Sequence, residues 1–282
     1  MKVFFNDRII PLEKARLSVL DRGFLYGDGV FESFRTYNRK PFLLAAHLKR
    51  LLAGAKFLKI RGPFSSARLD AAIDRTIAAN PFKECYIKVI ITRGQAVGHG
   101  LDISNACGKP TLLILVEEFA APPKELYHNG WSVIIPSIRR ADQPTSRIKS
   151  LCYLDNLLAK AEAKKKGANE ALMLNEKGDL VEGTVSNFFL VKGGSLYTPP
   201  LAEPILSGVT RHFVIGLARK QGIKIIEKEL RPRDLYQCHE CFLTLSSLGI
   251  VPVTRVGHKK IGSGKCGPVT GRLRRSYPAE VR

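Results

Sequence analysis

The stretch "SRIKSLCYLDN" (146–156) sets one lysine before a largely apolar run. Apolar spacing predicts a helix from Ser150 to about Lys166, so the positive end of its dipole would face the Lys149 ammonium. Ile148, Leu151 and Leu154 would strip water from the same group. Both effects favour the neutral amine, the form that attacks a carbonyl carbon to make a Schiff base. Farther along, "LVEGTVSNFF" puts Glu182 inside an apolar strand, where a carboxylate without a partner is costly. "LSGVTR" (206–211) puts Gly208, Val209 and Thr210 at a helix start, where backbone N–H groups and a hydroxyl suit a phosphate. Each feature also has an ordinary explanation: a surface lysine, a solvent-facing edge glutamate, and an N-cap by Ser207.

The elements that must position these groups fall into two blocks. "KVFFNDRII" predicts two short strands around an Asn-Asp turn. Residues 43–60 predict a helix with Leu44, His47, Leu48, Leu51 and Ala55 near one face, and 84–94 and 110–119 predict buried strands. The Pro-Pro and Asn-Gly of "FAAPPKELYHNG" interrupt regular structure. The expected organisation is therefore a small N-terminal α/β domain (1–119), a linker (120–130) and a larger C-terminal domain (131–282). That second block predicts a strand from Trp131 to Ile135, a polar loop (136–148), the helix after Lys149, and strand segments "EALMLN" and "LVEGTVSNFFLV" around an "EKGD" turn. An amphipathic helix follows in 206–222, then one strand in "ECFLTLSSLGIVPV".

With 282 residues, 45% hydrophobic and 25% charged, the chain can bury a sizeable core. Forty-five Lys and Arg against 25 Asp and Glu give a net charge of +20, which favours anionic partners. The charges are spread along the chain, and no aromatic-interleaved basic module appears, so nucleic-acid binding stands as a lesser alternative. No signal-peptide pattern and no apolar run of about 20 residues appears, so a cytoplasmic protein without membrane insertion is expected. "CHEC" (238–241) has half a zinc or redox spacing but lacks a second pair, so no metal is expected. "GSGK" (262–265) lacks the following Ser or Thr of a nucleotide loop and has Lys259 where the first glycine belongs.

Taken together, "LDRGFLYGDGVFESFRTYN" (20–38), "HLKRLLAGAKFL" (47–58), residues 148–189, "LSGVTR" and "LSSLGIVPV" (245–253) resemble, in order and spacing, the class IV (fold-type IV) pyridoxal phosphate-dependent aminotransferases. That family includes branched-chain aminotransferases, D-amino acid aminotransferases and aminodeoxychorismate lyase. The resemblance implies an α+β, two-domain fold with a barrel-like β core in the larger domain, pyridoxal 5'-phosphate as cofactor, and a homodimer. It implies that Lys149 holds the cofactor and moves the proton, that Glu182 pairs with the pyridine nitrogen, and that Arg50 binds the phosphate as a charged fork. Gly208, Val209, Thr210 and Ser246 would complete the phosphate site, and Tyr153 would meet the ring hydroxyl. His47 reads as a structural helix residue.

Substrate groups follow less directly. Branched-chain members carry Tyr-x-Arg where this chain has Tyr86 and Lys88, so the charge is kept and the planar fork lost. The lyase also carries a lysine there, before a Thr/Ser-Arg-Gly turn. The Arg-x-His trap of D-specific members is absent from "TRGQAVGHGLD", where His99 alone remains. Tyr26 and Phe31, backed by Glu32, would shape the side-chain pocket, with Ser247 and Leu248 nearby in sequence to Ser246. The expected activity is transamination between an amino acid, branched-chain favoured, and 2-oxoglutarate. Aminodeoxychorismate lyase and D-amino acid aminotransferase are the alternatives.

Overall fold

The computed structural model describes residues 1–96, 100–106 and 108–279. Its contacts divide the chain into two compact units, Met1–Ala120 with Ile148–Cys152, and Ala121–Arg147 with Tyr153–Arg282. Residues 121–130, read above as linker, belong to the second unit and hold a helix, α4 (Lys124–Asn129). Two prolines precede that helix, which tolerates proline at its entrance but not within it.

The first unit is an antiparallel six-stranded sheet in the order β2-β1-β6-β5-β3-β4. Its strands are β1 (Lys2–Phe5), β2 (Arg8–Pro11), β3 (Gly29–Tyr37), β4 (Lys40–Pro41), β5 (Cys85–Thr92) and β6 (Leu112–Glu118). Asn6 and Asp7 turn the first hairpin with φ of 44° and 73°, left-handed angles that short polar side chains tolerate. The short helix α1 (Arg22–Tyr26) is capped by Asp21, and helices α2 (Leu44–Phe57) and α3 (Ser66–Ala78) cover one sheet face. There Leu48, Leu51, Leu69 and Ile73 pack with Phe34, Ile87, Val89 and Ile114. Because strand side chains alternate, the other face of β5 carries Tyr86, Lys88 and Ile90, all half-buried.

The second unit holds a ten-stranded mixed sheet, curled into a half-barrel, in the order β10-β9-β7-β15-β14-β11-β12-β13 with β8 and β16 attached at its sides. The strands are β7 (Trp131–Ile134), β8 (Arg139–Arg140), β9 (Glu170–Asn175), β10 (Leu180–Gly183), β11 (Asn187–Lys192), β12 (Ser195–Thr198), β13 (Ile225–Glu227), β14 (Glu240–Leu245), β15 (Gly249–Val256) and β16 (Lys259–Lys260). Helices α5 (Leu154–Lys165), α6 (Val209–Lys220), α7 (Pro232–Gln237) and α8 (Pro268–Ala279) accompany it. Leu172, Phe188, Leu243 and Val251 lie in its main core, while Ala159 and Ala163 of α5 pack on Ala171 and Met173.

Three expectations change. The helix after Lys149 starts at Leu154, not Ser150, so its dipole does not act directly on Lys149. Residues 180–191 form two strands, broken at Thr184–Ser186, and 240–253 form two strands that reverse at Ser246–Leu248. In both, the apolar run hides the turn because the break, Thr-Val-Ser or Ser-Ser-Leu, contains no Pro or Asn-Gly. Among the described residues no helix is long and apolar enough to cross a membrane.

Candidate active site

In the first unit, Lys149 is placed by sheet pairing. The Phe31 N–H donates to the Lys149 carbonyl (2.9 Å), the Leu151 N–H to the Gly29 carbonyl (3.0 Å), and Ser150 bridges Val30. The short segment is thereby added to β3, and its lysine Nζ stands 4.3 Å from the centre of the Phe31 ring. Lys88, paired across from Ser33 on β5, brings its Nζ to 5.1 Å from the same centre. An aromatic face attracts both cations. Two amines therefore share one ring, a nucleophile candidate and a carboxylate-binding candidate.

Next to them lies a buried charge cluster. Glu32 is fully buried on β3 and accepts from Arg50 Nε (2.6 Å) and Nη2 (2.8 Å), with His47 Nδ1 at 2.7 Å. Burial alone would push the Glu32 carboxyl up, but the Arg50 charge and the hydrogen bonds from Arg50 and His47 outweigh it and hold the group at about 2. His47 is pushed below its ordinary range by burial, with the charges of Arg50 and Lys149 adding to the effect against Glu32. Glu32 thus aligns the Arg50 fork and neutralises its charge, while His47 supports the carboxylate from α2. A second cluster sits at the α1 end of β3. Burial raises the Asp28 carboxyl, but hydrogen bonds and charge from Arg93 and Arg22 reverse the sign. Arg93 also donates to the carbonyls of Leu58 and Lys59 after α2, which ties that helix end to the sheet.

In the second unit, the register of β10 against β9 shifts between Leu180 and Gly183. Such a bulge re-aims side chains, and Glu182 lies within it. Its buried carboxylate receives Arg140 Nη2 at 3.2 Å, the Leu206 N–H at 2.9 Å and Asn187 Nδ2 at 3.4 Å. Arg140 in turn donates to Asn156 Oδ1 (3.0 Å) and to the carbonyls of Ser146 (2.8 Å) and Pro204 (3.4 Å), so the ion pair is anchored on three sides. Asn187 also donates to the Leu206 carbonyl (3.0 Å), which brings the Glu182 bulge to the entrance of α6. At that entrance a Cβ on Gly208 would lie 1.9 Å from Asn187 Oδ1, so only glycine lets the chain pass so close. Thr210 follows at the start of α6, its Oγ1 3.5 Å from Ser246 Oγ in the β14–β15 turn. A helix start with two hydroxyls and a side-chain-free approach fits a phosphate, and the ion-paired Glu182 fits a cationic ring nitrogen. The residues present therefore suit a phosphorylated pyridine cofactor.

The remaining expected residues are distributed as follows. Tyr153 stands immediately before α5 without a side-chain capping hydrogen bond, and Val209 is the first residue of α6. Ser247 and Leu248 lie in the β14–β15 turn, where Tyr127 Oη donates to the Leu248 carbonyl at 3.0 Å. Tyr86 shares the Lys88 face of β5. Tyr26 is exposed at the end of α1, with the Arg22 guanidinium 5.0 Å from its ring centre. His99 lies outside the described residues. Arg140 and Asn187, which hold Glu182, and Asn156, which holds Arg140, were not among the residues expected from the sequence. A lone arginine in an irregular loop carries no spacing signal; the buried acid opposite it was the clue that a cation was required. Among the described residues no group of three or more His, Cys, Asp or Glu side chains could hold a metal. Burial pushes the Cys238 thiol up to about 12 and the Cys241 thiol well up, the behaviour of packing residues.

Comparison with known proteins agrees with this geometry. Residues 29–256 match the family model for amino-transferase class IV. A protein of Methanocaldococcus jannaschii, provisionally named a branched-chain-amino-acid aminotransferase, is 39% identical over 281 residues, covering 98% of this chain and 95% of the relative. The aminodeoxychorismate lyase of Bacillus subtilis is 33% identical, covering 99% and 94%. Among solved structures, the T.th. branched-chain amino acid aminotransferase complexed with N-(5'-phosphopyridoxyl)-L-glutamate superposes with a TM-score of 0.90 at 31% identity, covering 99% of this chain and 93% of that one.

Proposed function

The chain belongs to the class IV aminotransferases, enzymes that use pyridoxal 5'-phosphate, and we propose that it moves the amino group of a branched-chain amino acid to 2-oxoglutarate. The observation that carries this reading is the pair of amines on the Phe31 ring, Lys149 at 4.3 Å and Lys88 at 5.1 Å. One can bond the cofactor and the other can hold a substrate carboxylate. When bound, the cofactor supplies an electron sink for the negative charge left on the substrate Cα.

In this reading Lys149 would hold the cofactor through its amine and would move the proton at the substrate Cα. Glu182, with Arg140 beside it, keeps the pyridine nitrogen cationic. Arg50, aligned by Glu32, would offer a charged fork to a phosphate; Thr210, Ser246 and the backbone at Gly208 and Val209 would offer it donors, and Tyr153 would meet the ring hydroxyl. Phe31 and Tyr26 border the apolar side chain; Tyr86, Ser247 and Leu248 line the substrate, and Lys88 takes the distal carboxylate of the oxo acid. The glutamate moiety in the T.th. enzyme complex supports a dicarboxylic partner. Leu17, Val19, Leu20, Phe24 and Leu25, all exposed in the first unit, support a homodimer that covers them, which light scattering at working concentration tests. We place the enzyme in the cytoplasm.

Aminodeoxychorismate lyase is the second reading, favoured by Lys88 in place of the family arginine and by the Bacillus subtilis relative. A half-reaction screen separates them: the visible absorbance of loaded enzyme is followed as L-leucine, L-glutamate, D-alanine and aminodeoxychorismate are added singly. Bleaching by L-leucine and L-glutamate supports the transaminase. Pyruvate release from aminodeoxychorismate with no bleaching by L-leucine supports the lyase.

A further inference from the structure

The second unit carries a separate cationic cleft of about 480 Å³, lined by Lys124, Tyr127 and His128 of α4, by Cys266, and by Arg274 and Arg275 of α8. Its volume lies in the ordinary range for small-molecule sites. The Arg274 guanidinium sits 4.3 Å from the centre of the Tyr127 ring and also hydrogen-bonds the Cys266 thiol, so its position is set by the protein. Among the described residues no acidic side chain lines the cleft. The nearby Glu240 carboxylate is occupied in capping α8 through the N–H groups of Val269 (3.0 Å) and Thr270 (2.8 Å). The surrounding sequence is basic throughout, with seven Lys or Arg and no Asp or Glu in 254–279. Gathering like charges in one concavity without acids is unfavourable unless an anion offsets them.

The cleft is also connected to the β14–β15 turn. Tyr127, under Arg274, donates to the Leu248 carbonyl in the β14–β15 turn that bears Ser246. On the same turn Gly249, at a φ of 70°, lies against the Tyr277 ring of α8. Tyr127, which lines the cleft, and Tyr277, on the helix that carries Arg274, therefore bear on the turn expected to hold phosphate and substrate.

We propose that this cleft binds a small phosphate-rich anion, distinct from the cofactor phosphate, and that its occupancy is felt at the Ser246–Leu248 turn through Tyr127. The anion competes with the Tyr127 ring for Arg274 and alters the hold of Tyr127 on Leu248. The binding claim stands apart from the proposed activity; only the second effect rests on it.

Pyrophosphate titrated calorimetrically into cofactor-loaded protein is the test, because the cofactor's own phosphate site is then filled. Saturable binding is expected, weakened at least about tenfold in the Arg274→Gln/Arg275→Gln variant through loss of two charge-assisted contacts. Lys124→Gln, outside α8, should weaken it less and guards against a folding defect in that helix. Saturating pyrophosphate should shift the KM for the amino substrate severalfold in the parent and leave it unmoved in Tyr127→Phe, which should still bind. Absent binding, or binding indifferent to all three cleft cations, overturns the site. Binding without any shift in KM overturns the coupling to the turn.

Discussion

The two units supply their functional groups by different structural means. In the first, the groups stand on a strand face: Phe31 and Lys88 are on β3 and β5, and Lys149 is added to the edge of β3 by two backbone hydrogen bonds. Strand alternation and a regular register place them. In the second, Glu182, Gly208, Thr210 and Ser246 stand at a bulge, a helix entrance and a hairpin turn, connected by Asn187 and Arg140. Irregular backbone offers unpaired N–H groups that a regular sheet has already used, which is why the backbone donors proposed for the phosphate are there. The strand-borne groups are expected to tolerate a change of cation, and the turn-borne groups to depend on a few connecting side chains.

Substitutions can break or sharpen that contrast. The largest effect is expected at Arg140→Gln, which leaves Glu182 buried without its counter-charge. Breaking such a pair costs about 3–5 kcal/mol, to be read from urea unfolding, with cofactor affinity falling as well. Acid comes next. Glu32 is held at about 2 against an ordinary 4.5, so its stabilising contribution is complete above 4.5 and is lost as pH falls from there through 2. That contribution is roughly 3 kcal/mol by the linkage relation. Asp28 has the same sign, and His47, held below 6.5, begins the loss as pH drops under that value. Urea midpoints from pH 7 to pH 3 should therefore fall, and the slope below pH 4.5 should flatten in Glu32→Gln.

Gly208→Ala should cost about 1–3 kcal/mol as a small-to-large change, because the new Cβ displaces the Asn187 amide from 1.9 Å. The KM for pyridoxal phosphate should rise with it, whereas an exposed glycine such as Gly167, with nothing near its Cβ position, should affect the cofactor not at all. Smallest is Lys88→Arg, which restores a planar fork on the same strand face. It should lower the KM for 2-oxoglutarate by about three- to tenfold at nearly constant kcat, given the gain of a bidentate carboxylate contact.

Much of this was legible in the chain before folding. Lys149, Glu182 and the Gly208–Thr210 entrance stand out because each puts chemistry into an apolar or glycine-bearing context, and α2, β5 and β6 follow their hydrophobic periods. The physical reason first given for Lys149, a helix dipole, was wrong: α5 begins at Leu154, and strand pairing with Phe31 and Gly29 does the positioning. The ends of apolar runs at Thr184–Ser186 and Ser246–Leu248 were hidden because each is marked only by one adjoining glycine, Gly183 or Gly249, with no Pro or Asn-Gly. Arg140 and Asn187 were illegible for another reason. Their roles arise from contacts across long sequence separations, which periodicity cannot report.

The account rests on Lys149, and not its neighbour Lys88, being the lysine that bonds the cofactor. Borohydride reduction of the loaded protein, followed by digestion and mass spectrometry of the phosphopyridoxyl peptide, decides this directly. The label is expected on Lys149 alone, with none after Lys149→Ala. A label on Lys88, or retained after that substitution, would contradict it.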